Sequence, residues 1–366
     1  MKKTTLYNLI ATFFITMGVS SCADFLDQEN PAYDAEGFYA TEAGLKEGVT
    51  GIYPLLYFDM NWAVPACIVL DHYTAYGLEQ DENSSIGAGG TLNPDNGKIQ
   101  AFWTGEYQIA ARANSVIYGA KDAVAGMSDA ARQYYAEARV LRAYAYYNLI
   151  SAFGDVPFFT APVTIDEYKV GRTPKGEIID FLIKDLNDAA DYLPWTATQR
   201  GRVDKAVAYG LIARMGLFGG SFNVENKATE YFRIAADAAN KVIGKRKLAP
   251  KFSDLFNLTG QAKSEVRDEL LWELMYSTNG TKKLHTVGYG HSSLNYASSV
   301  RFPSSLIVDT YECIDGKRID ESPLYDPKHP TLNRDPRFNA TLAGHGDTIN
   351  YTITDGNNPQ KLILNI

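Results

Sequence analysis

The sequence predicts a mainly helical protein, a scaffold of paired helices that carries long loop insertions and a few short strands. Three observations predict it. Apolar residues recur at spacings of three and four from about Phe102 to Ile243. Capping and breaking residues divide that stretch into separate helices. The periodicity is missing from residues 59–100, which are rich in Gly, Asn, Asp and aromatics, and it fades again beyond Leu248. The composition agrees, with 45% hydrophobic and 21% charged residues over a length of 366, enough for one large domain or two modest ones.

The chain opens on Lys2 and Lys3, an apolar run from Leu6 to Val19, and Val19-Ser20-Ser21 before Cys22. A basic start, a short apolar run and small residues before a cleavage point define a signal peptide, here residues 1–21. The run is too short to span a bilayer, which takes roughly 20 residues. The small-small-Cys ending resembles a bacterial lipobox, in which Cys22 becomes the lipidated N-terminus; the alternative is a plain signal peptide with a chance cysteine. Two or more acyl chains hold a protein stably on a membrane surface without spanning it. The acidic stretch Ala23-Asp24-Phe25-Leu26-Asp27 begins a tether that extends to about residue 40, and residues 41–366 form a single domain.

Thr41-Glu42-Ala43 starts the first helix, with Leu45, Val49, Ile52 and Leu56 on one face. Residues 59–100 read as a long loop region, and long loops in compact domains are usually functional. Gln108 to Ala125 is the next helix. Ser128 caps another that ends at Phe153, stopped by Gly154 and Pro157. Thr173-Pro174 pairs a cap with a first-turn proline and opens a helix that reaches Leu193. Val203–Phe218 and Thr229–Ile243 complete the helical core, which spans about residues 102–245. Small residues at Ala138, Ala145, Ala206, Ala213, Ala235 and Ala239 allow close helix approach, as in helical-hairpin arrays of the tetratricopeptide type. In the second insertion, 246–366, Leu270–Tyr276 reads as a strand, 300–311 holds a short helix, and short strands lie around 351–354 and 362–364.

Charge and motifs exclude several functions. The net charge is −8, and an acidic chain repels phosphate backbones, so no nucleic-acid partner is expected. His72, His285, His291, His329 and His345 show no H-E-x-x-H spacing, and no phosphate-binding glycine loop or nucleophile elbow is present. No cofactor or metal is expected, and no pair of carboxylates is marked by context for glycoside hydrolysis. Cys67 and Cys313 read as small buried hydrophobes more readily than as a disulfide. The 24 tyrosines and 4 tryptophans are many, and a flat ring with a polar tip suits sugar rings as well as helix packing. Trp103 and Trp195 abut helices and read as core.

Ala136-Glu137-Ala138-Arg139-Val140-Leu141-Arg142-Ala143-Tyr144-Ala145-Tyr146-Tyr147-Asn148-Leu149, followed by Phe153-Gly154-Asp155-Val156-Pro157-Phe158, resembles the SusD/RagB family of outer-membrane nutrient-binding lipoproteins. Gly201-Arg202-Val203-Asp204-Lys205, Asp315-Gly316-Lys317 and Asn333-Arg334-Asp335-Pro336-Arg337-Phe338 match it as well. The resemblance covers about residues 20–345 and implies a tetratricopeptide-like scaffold with inserted loops, anchored to the outer membrane and facing the exterior. It also implies a partner, a TonB-dependent transporter resembling SusC, to which captured oligosaccharides are delivered without catalysis. Family members continue well beyond the Arg334–Phe338 segment, so the resemblance implies a C-terminally shortened member. Glu137 and Arg142 sit within the shared helix, where a structural role is expected.

Sugar recognition needs an aromatic face with amides, carboxylates or cations beside it for the hydroxyls. Two regions have that make-up, and both fall in loops of the kind from which the family builds its ligand site. The first holds Trp62, Asp71, His72, Tyr73, Tyr76 and Asn83. The second holds Tyr276, Lys282, His285, Tyr289, His291, Asn295 and Tyr296. A surface glycoside hydrolase and a peptide-binding helical scaffold are the competing readings.

Overall fold

The structure, a computed structural model, describes residues 35–61, 64–66, 70, 74–79, 95–275, 301–342, 348–352 and 359–363. Cys22 and Cys67 lie outside the described residues.

Helices α1 (Ala35–Tyr39) and α2 (Glu42–Thr50) precede a 3-10 turn at Tyr53–Tyr57. Part of the expected tether is therefore helical: α1 packs against the long helix α3 (Gly97–Ala120) and not out into solvent. Thr41 caps α2 by accepting from the Gly44 amide at 3.0 Å, and Leu45, Val49 and Ile52 are fully buried. Short strands β1 (Asp59–Asn61), β2 (Val64–Pro65) and β3 (Gly77–Glu79) lie in the first insertion.

Helix α3 starts eleven residues before the expected Gln108 and ends at Ala120. The Asn96 side chain accepts from the Lys98 and Ile99 amides, and Phe102, Ile109, Ala113, Val116 and Ala120 supply the buried face. The glycine and polar residues at its start conceal it from a periodicity reading. Helix α4 (Asp129–Phe153) follows its expectation: Ser128 Oγ accepts from the Ala131 amide at 3.1 Å, and Gly154 ends the helix with φ of 74°. This helix is the centre of the scaffold and packs against α2, α3, α5 (Lys175–Ala190) and α6 (Lys205–Ser221).

Helix α5 is capped differently from the expectation. Pro174, not Thr173, occupies the cap position, and the Lys175 amide donates to Asp155 Oδ1 at 2.9 Å. Thr173 is used in a β-bridge to Val156. Asp204 caps α6 by accepting from the Val207 amide, and α7 (Ala228–Val242) returns along it. The close approach has a visible cause. A Cβ on Gly216 would lie 2.7 Å from the Tyr231 carbonyl oxygen and 2.9 Å from the Ala235 nitrogen.

Two residue sets from the recognised motifs are structural. Arg139 and Arg142 share one carboxylate, Asp185, at 2.6 and 2.7 Å. Glu137 is fully buried against Arg202 at 2.8 Å.

The expected strand at Leu270–Tyr276 is not one among its described residues. Leu271, Trp272 and Leu274 instead pack singly against the helical core, and the Trp272 indole donates to the Gly201 carbonyl at 2.9 Å. Beyond it come β4 (Arg301–Pro303) and the short helices Ser305–Thr310 and Pro336–Thr341. Buried Arg334 holds this part by donating to the carbonyls of Val308, Tyr311 and Pro330. Cys313 is buried as a free thiol. Strands β5 (Thr348–Thr352) and β6 (Pro359–Ile363) pair antiparallel.

Candidate functional site

Of the sugar-contact candidates, Trp62, Asp71, His72, Tyr73, Asn83, Tyr276, Lys282, His285, Tyr289, His291, Asn295 and Tyr296 lie outside the described residues. Tyr76 is described and is 47% exposed. Its carbonyl accepts from the Ser304 amide at 2.9 Å, and Ser304 Oγ donates to the neighbouring Ala75 carbonyl at 2.6 Å.

The described residues do show how the two candidate regions are moored. Strands β3 and β4 pair antiparallel, Gly77 with Pro303 and Glu79 with Arg301. At the other end, the Tyr57 hydroxyl donates to the Met275 carbonyl at 2.8 Å. Arg200 fixes that end further through two bonds to Glu273, at 2.6 and 2.8 Å. The chain from 57 to 77 and the chain from 275 to 301 thus leave and return through the same two moorings.

Sequence reasoning missed a concavity that the described residues form. A cleft of about 580 Å³ opens between α3 and the connection that follows α4. Thr104, Gln108, Ala111 and Ser115 line it from one face of α3, with Trp103, Tyr107 and Asn114 beside them. Tyr146 comes from α4, and Pro157, Phe159, Ala161, Pro162, Val163 and Tyr168 form the opposite wall. Trp103, expected in the core, is only partly buried and lines this cleft. Its ring rests edge-on against Phe153 with centroids 4.9 Å apart. Trp195, expected in the core as well, is half-buried beneath the ammonium groups of Lys205 and Lys245.

The outer wall is held by side chains from the helices. Tyr107 donates its hydroxyl to the Pro157 carbonyl at 2.7 Å. Tyr146 donates to the Phe159 carbonyl at 3.1 Å and accepts from the Phe159 amide at 2.8 Å. Asn114 donates to the same carbonyl at 2.7 Å and is itself oriented by Arg142 at 3.1 Å. Burial pushes both phenols up, that of Tyr146 to about 12, so they stay protonated donors at physiological pH.

Among the described residues no carboxylate lines the cleft. Glu106 lies in α3, buried between α3 and α4, where burial pushes its carboxyl up to about 8 while an Asn148 hydrogen bond at 2.8 Å opposes the shift. Among the described residues no group of three or more His, Cys, Asp or Glu could hold a metal ion. No described helix is long and apolar enough to cross a membrane.

A family profile described as starch-binding and associating with the outer membrane matches residues 24–217. The chain belongs to the SusD-like family. SusD-like protein P2 of Formosa agariphila is 26% identical over 309 residues, covering 80% of this chain and 56% of that protein. In fold, a SusD-like carbohydrate-binding protein from Bacteroides fragilis superposes with a TM-score of 0.70 at 21% identity, covering 83% of this chain and 60% of that one. Surface glycan-binding protein A from Bacteroides thetaiotaomicron, solved with laminarihexaose, gives 0.50 at 19% identity over 64% of this chain and 50% of its own. This SusD-like chain spans about half the length of the curated relatives it matches. The helical tetratricopeptide-like fold agrees with the expectation from the motifs.

Proposed function

We propose that this SusD-like protein is a lipid-anchored glycan-binding protein of the outer-membrane surface, which captures oligosaccharides and delivers them to a SusC-like TonB-dependent transporter without breaking bonds. Residues 1–21 serve as the signal, Cys22 as the lipidated N-terminus, and residues 41–366 as one domain. The observation that carries the reading is the shared mooring. The segments that contain Trp62, Tyr73, Tyr76 and Tyr289, Tyr296 are closed between the same two points, Tyr57–Met275 and β3–β4. On this reading one ligand meets aromatic residues of both segments, with Asp71 and Asn295, and Asn83 just beyond β3, for its hydroxyls. Family membership and the glycan-binding relatives support the ligand class.

The test is calorimetric titration of a soluble form beginning at Ala23 against neutral and acidic oligosaccharides, each sugar being analysed for cleavage afterwards. Heat with one class of sugar, recovered whole, is expected. A folded protein that gives no heat with any sugar would overturn the reading, and recovery of shortened sugar would replace capture by hydrolysis.

A further inference from the structure

We propose that the cleft between α3 and residues 157–168 is a second saccharide site, one that takes a short neutral oligosaccharide. It goes beyond the loop reading and uses none of the same residues.

Size and shape come first. The cleft, at about 580 Å³, falls within the range of small-molecule sites. Thr104, Gln108, Ala111 and Ser115 recur at intervals of four, three and four, so they form one line along α3. That line is about 16 Å long at 1.5 Å per residue. Its side chains are small or slender, which leaves a trough with Ala111 at its middle. Trp103 and Tyr107 flank the trough on one side, Phe159 and Tyr168 on the other.

The lining chemistry selects the ligand class. Among the described residues no charged side chain lines the cleft, so they offer neither an anion nor a cation a counter-charge there. Aromatic faces alone would suit any apolar molecule. The hydroxyl of Thr104 and the amide of Gln108, however, are exposed in the cleft and bond to no other side chain among the described residues, and they offer one donor-acceptor hydroxyl and a donor-acceptor amide. Rings for a C–H face, beside uncommitted neutral hydrogen-bonding groups, match the two faces of a sugar ring.

The cleft is also set before a ligand arrives. Tyr107, Asn114 and Tyr146 have spent their hydrogen bonds on the Pro157 and Phe159 backbone and hold the outer wall off the helix. A wall so fixed need not be ordered on binding, which lowers the entropic cost. Two sites on one chain would raise avidity for a long glycan over either site alone.

The experiment uses the mature chain with its tryptophan indoles labelled with nitrogen-15, the Trp103 resonance being assigned by Trp103→Phe. Neutral trisaccharides of glucose, mannose and xylose are the probes. The Trp103 indole resonance is expected to shift with at least one of them. Ala111→Trp, at an exposed position that fills the trough, should abolish that shift, and Tyr168→Ala should weaken binding by about tenfold. A trisaccharide that binds while the Trp103 resonance stays fixed, with equal affinity for Ala111→Trp, overturns the second site and leaves the loop reading intact. Binding lost in the cleft variants but untouched by Tyr76→Ala and Tyr289→Ala overturns the loop reading and keeps the cleft. No binding of any probe overturns the cleft site.

Discussion

Glu137 and Arg202, 65 positions apart, meet inside the scaffold with Glu137 Oε2 2.8 Å from Arg202 Nη2. Glu137 is fully buried, and the Tyr53 hydroxyl donates to the same oxygen at 2.8 Å while accepting from the Val203 amide at 3.0 Å. The cluster ties the turn after α2, the middle of α4 and the start of α6 together. Removing one partner leaves a buried charge uncompensated, which costs about 3–5 kcal/mol. Glu137→Ala should therefore lose that much stability in urea unfolding followed by circular dichroism. A loss within about 1 kcal/mol, the worth of an exposed pair, would contradict the assignment.

Helices α6 and α7 touch through Gly216. Alanine is the better helix former by about 1 kcal/mol, so propensity alone predicts that Gly216→Ala stabilises. The new methyl would meet the Tyr231 and Ala235 backbone at under 3 Å, and backbone cannot swing aside. Overpacking of this kind costs about 1–3 kcal/mol, so the melting temperature should fall. Gly97→Ala, with open space around its Cβ, is the control.

Glu106 gives stability a pH dependence. Its carboxyl is held at about 8 in the fold, mainly by burial, against an ordinary value of 4.5. Between those values the folded chain keeps a proton that the unfolded chain has lost. Stability from this group is thus complete below the lower value and is lost as pH rises through the upper one. Glu106→Gln keeps the shape and has no proton to lose. Thermal melts from pH 5 to pH 9 should show a smaller alkaline decline in the variant; equal slopes would remove Glu106 as the cause.

Tyr57→Phe deletes the hydroxyl that holds Met275 and keeps the ring. One such hydrogen bond is worth about 0.5–1.5 kcal/mol, so the protein should stay folded at 37 °C. Sugar affinity measured by calorimetry should nonetheless fall, because one mooring of both aromatic segments is released. Single replacements of Tyr73, Tyr76, Tyr289 and Tyr296 by Ala should weaken binding at one or more positions. Four variants that bind like the parent would place the loop site elsewhere.

Where a helix announces itself through local chemistry, the sequence is legible. Ser128 before α4 and Asp204 before α6 each cap the amide three residues on. The errors arise where a distant group decides. Asp155 supplies the cap for α5 from 20 positions away, which no reading of Thr173-Pro174 can reveal. Leu270–Met275 has the apolar density of a strand, yet it is spent on contacts to helices and on the Gly201 carbonyl. The cleft was hidden for the same reason, since the placement of Phe159 and Tyr168 over α3 is set by Tyr107, Asn114 and Tyr146. Only the spacing of Thr104, Gln108, Ala111 and Ser115, a line of small and polar residues on a helix whose opposite face is buried, carried a local signal. Of the loop candidates, Tyr76 is the one within the described residues.

The two moorings have a consequence for how such a protein changes over generations. A closed loop that doubles in length costs only about 0.6 kcal/mol more. The stretches from Tyr57 to Gly77 and from Met275 to Arg301 can therefore be lengthened, shortened or rewritten with little charge to the helices that fold the chain. Under the proposed loop site, preference for one nutrient over another would become a property of two exchangeable inserts, and the α2–α7 frame could be inherited unaltered.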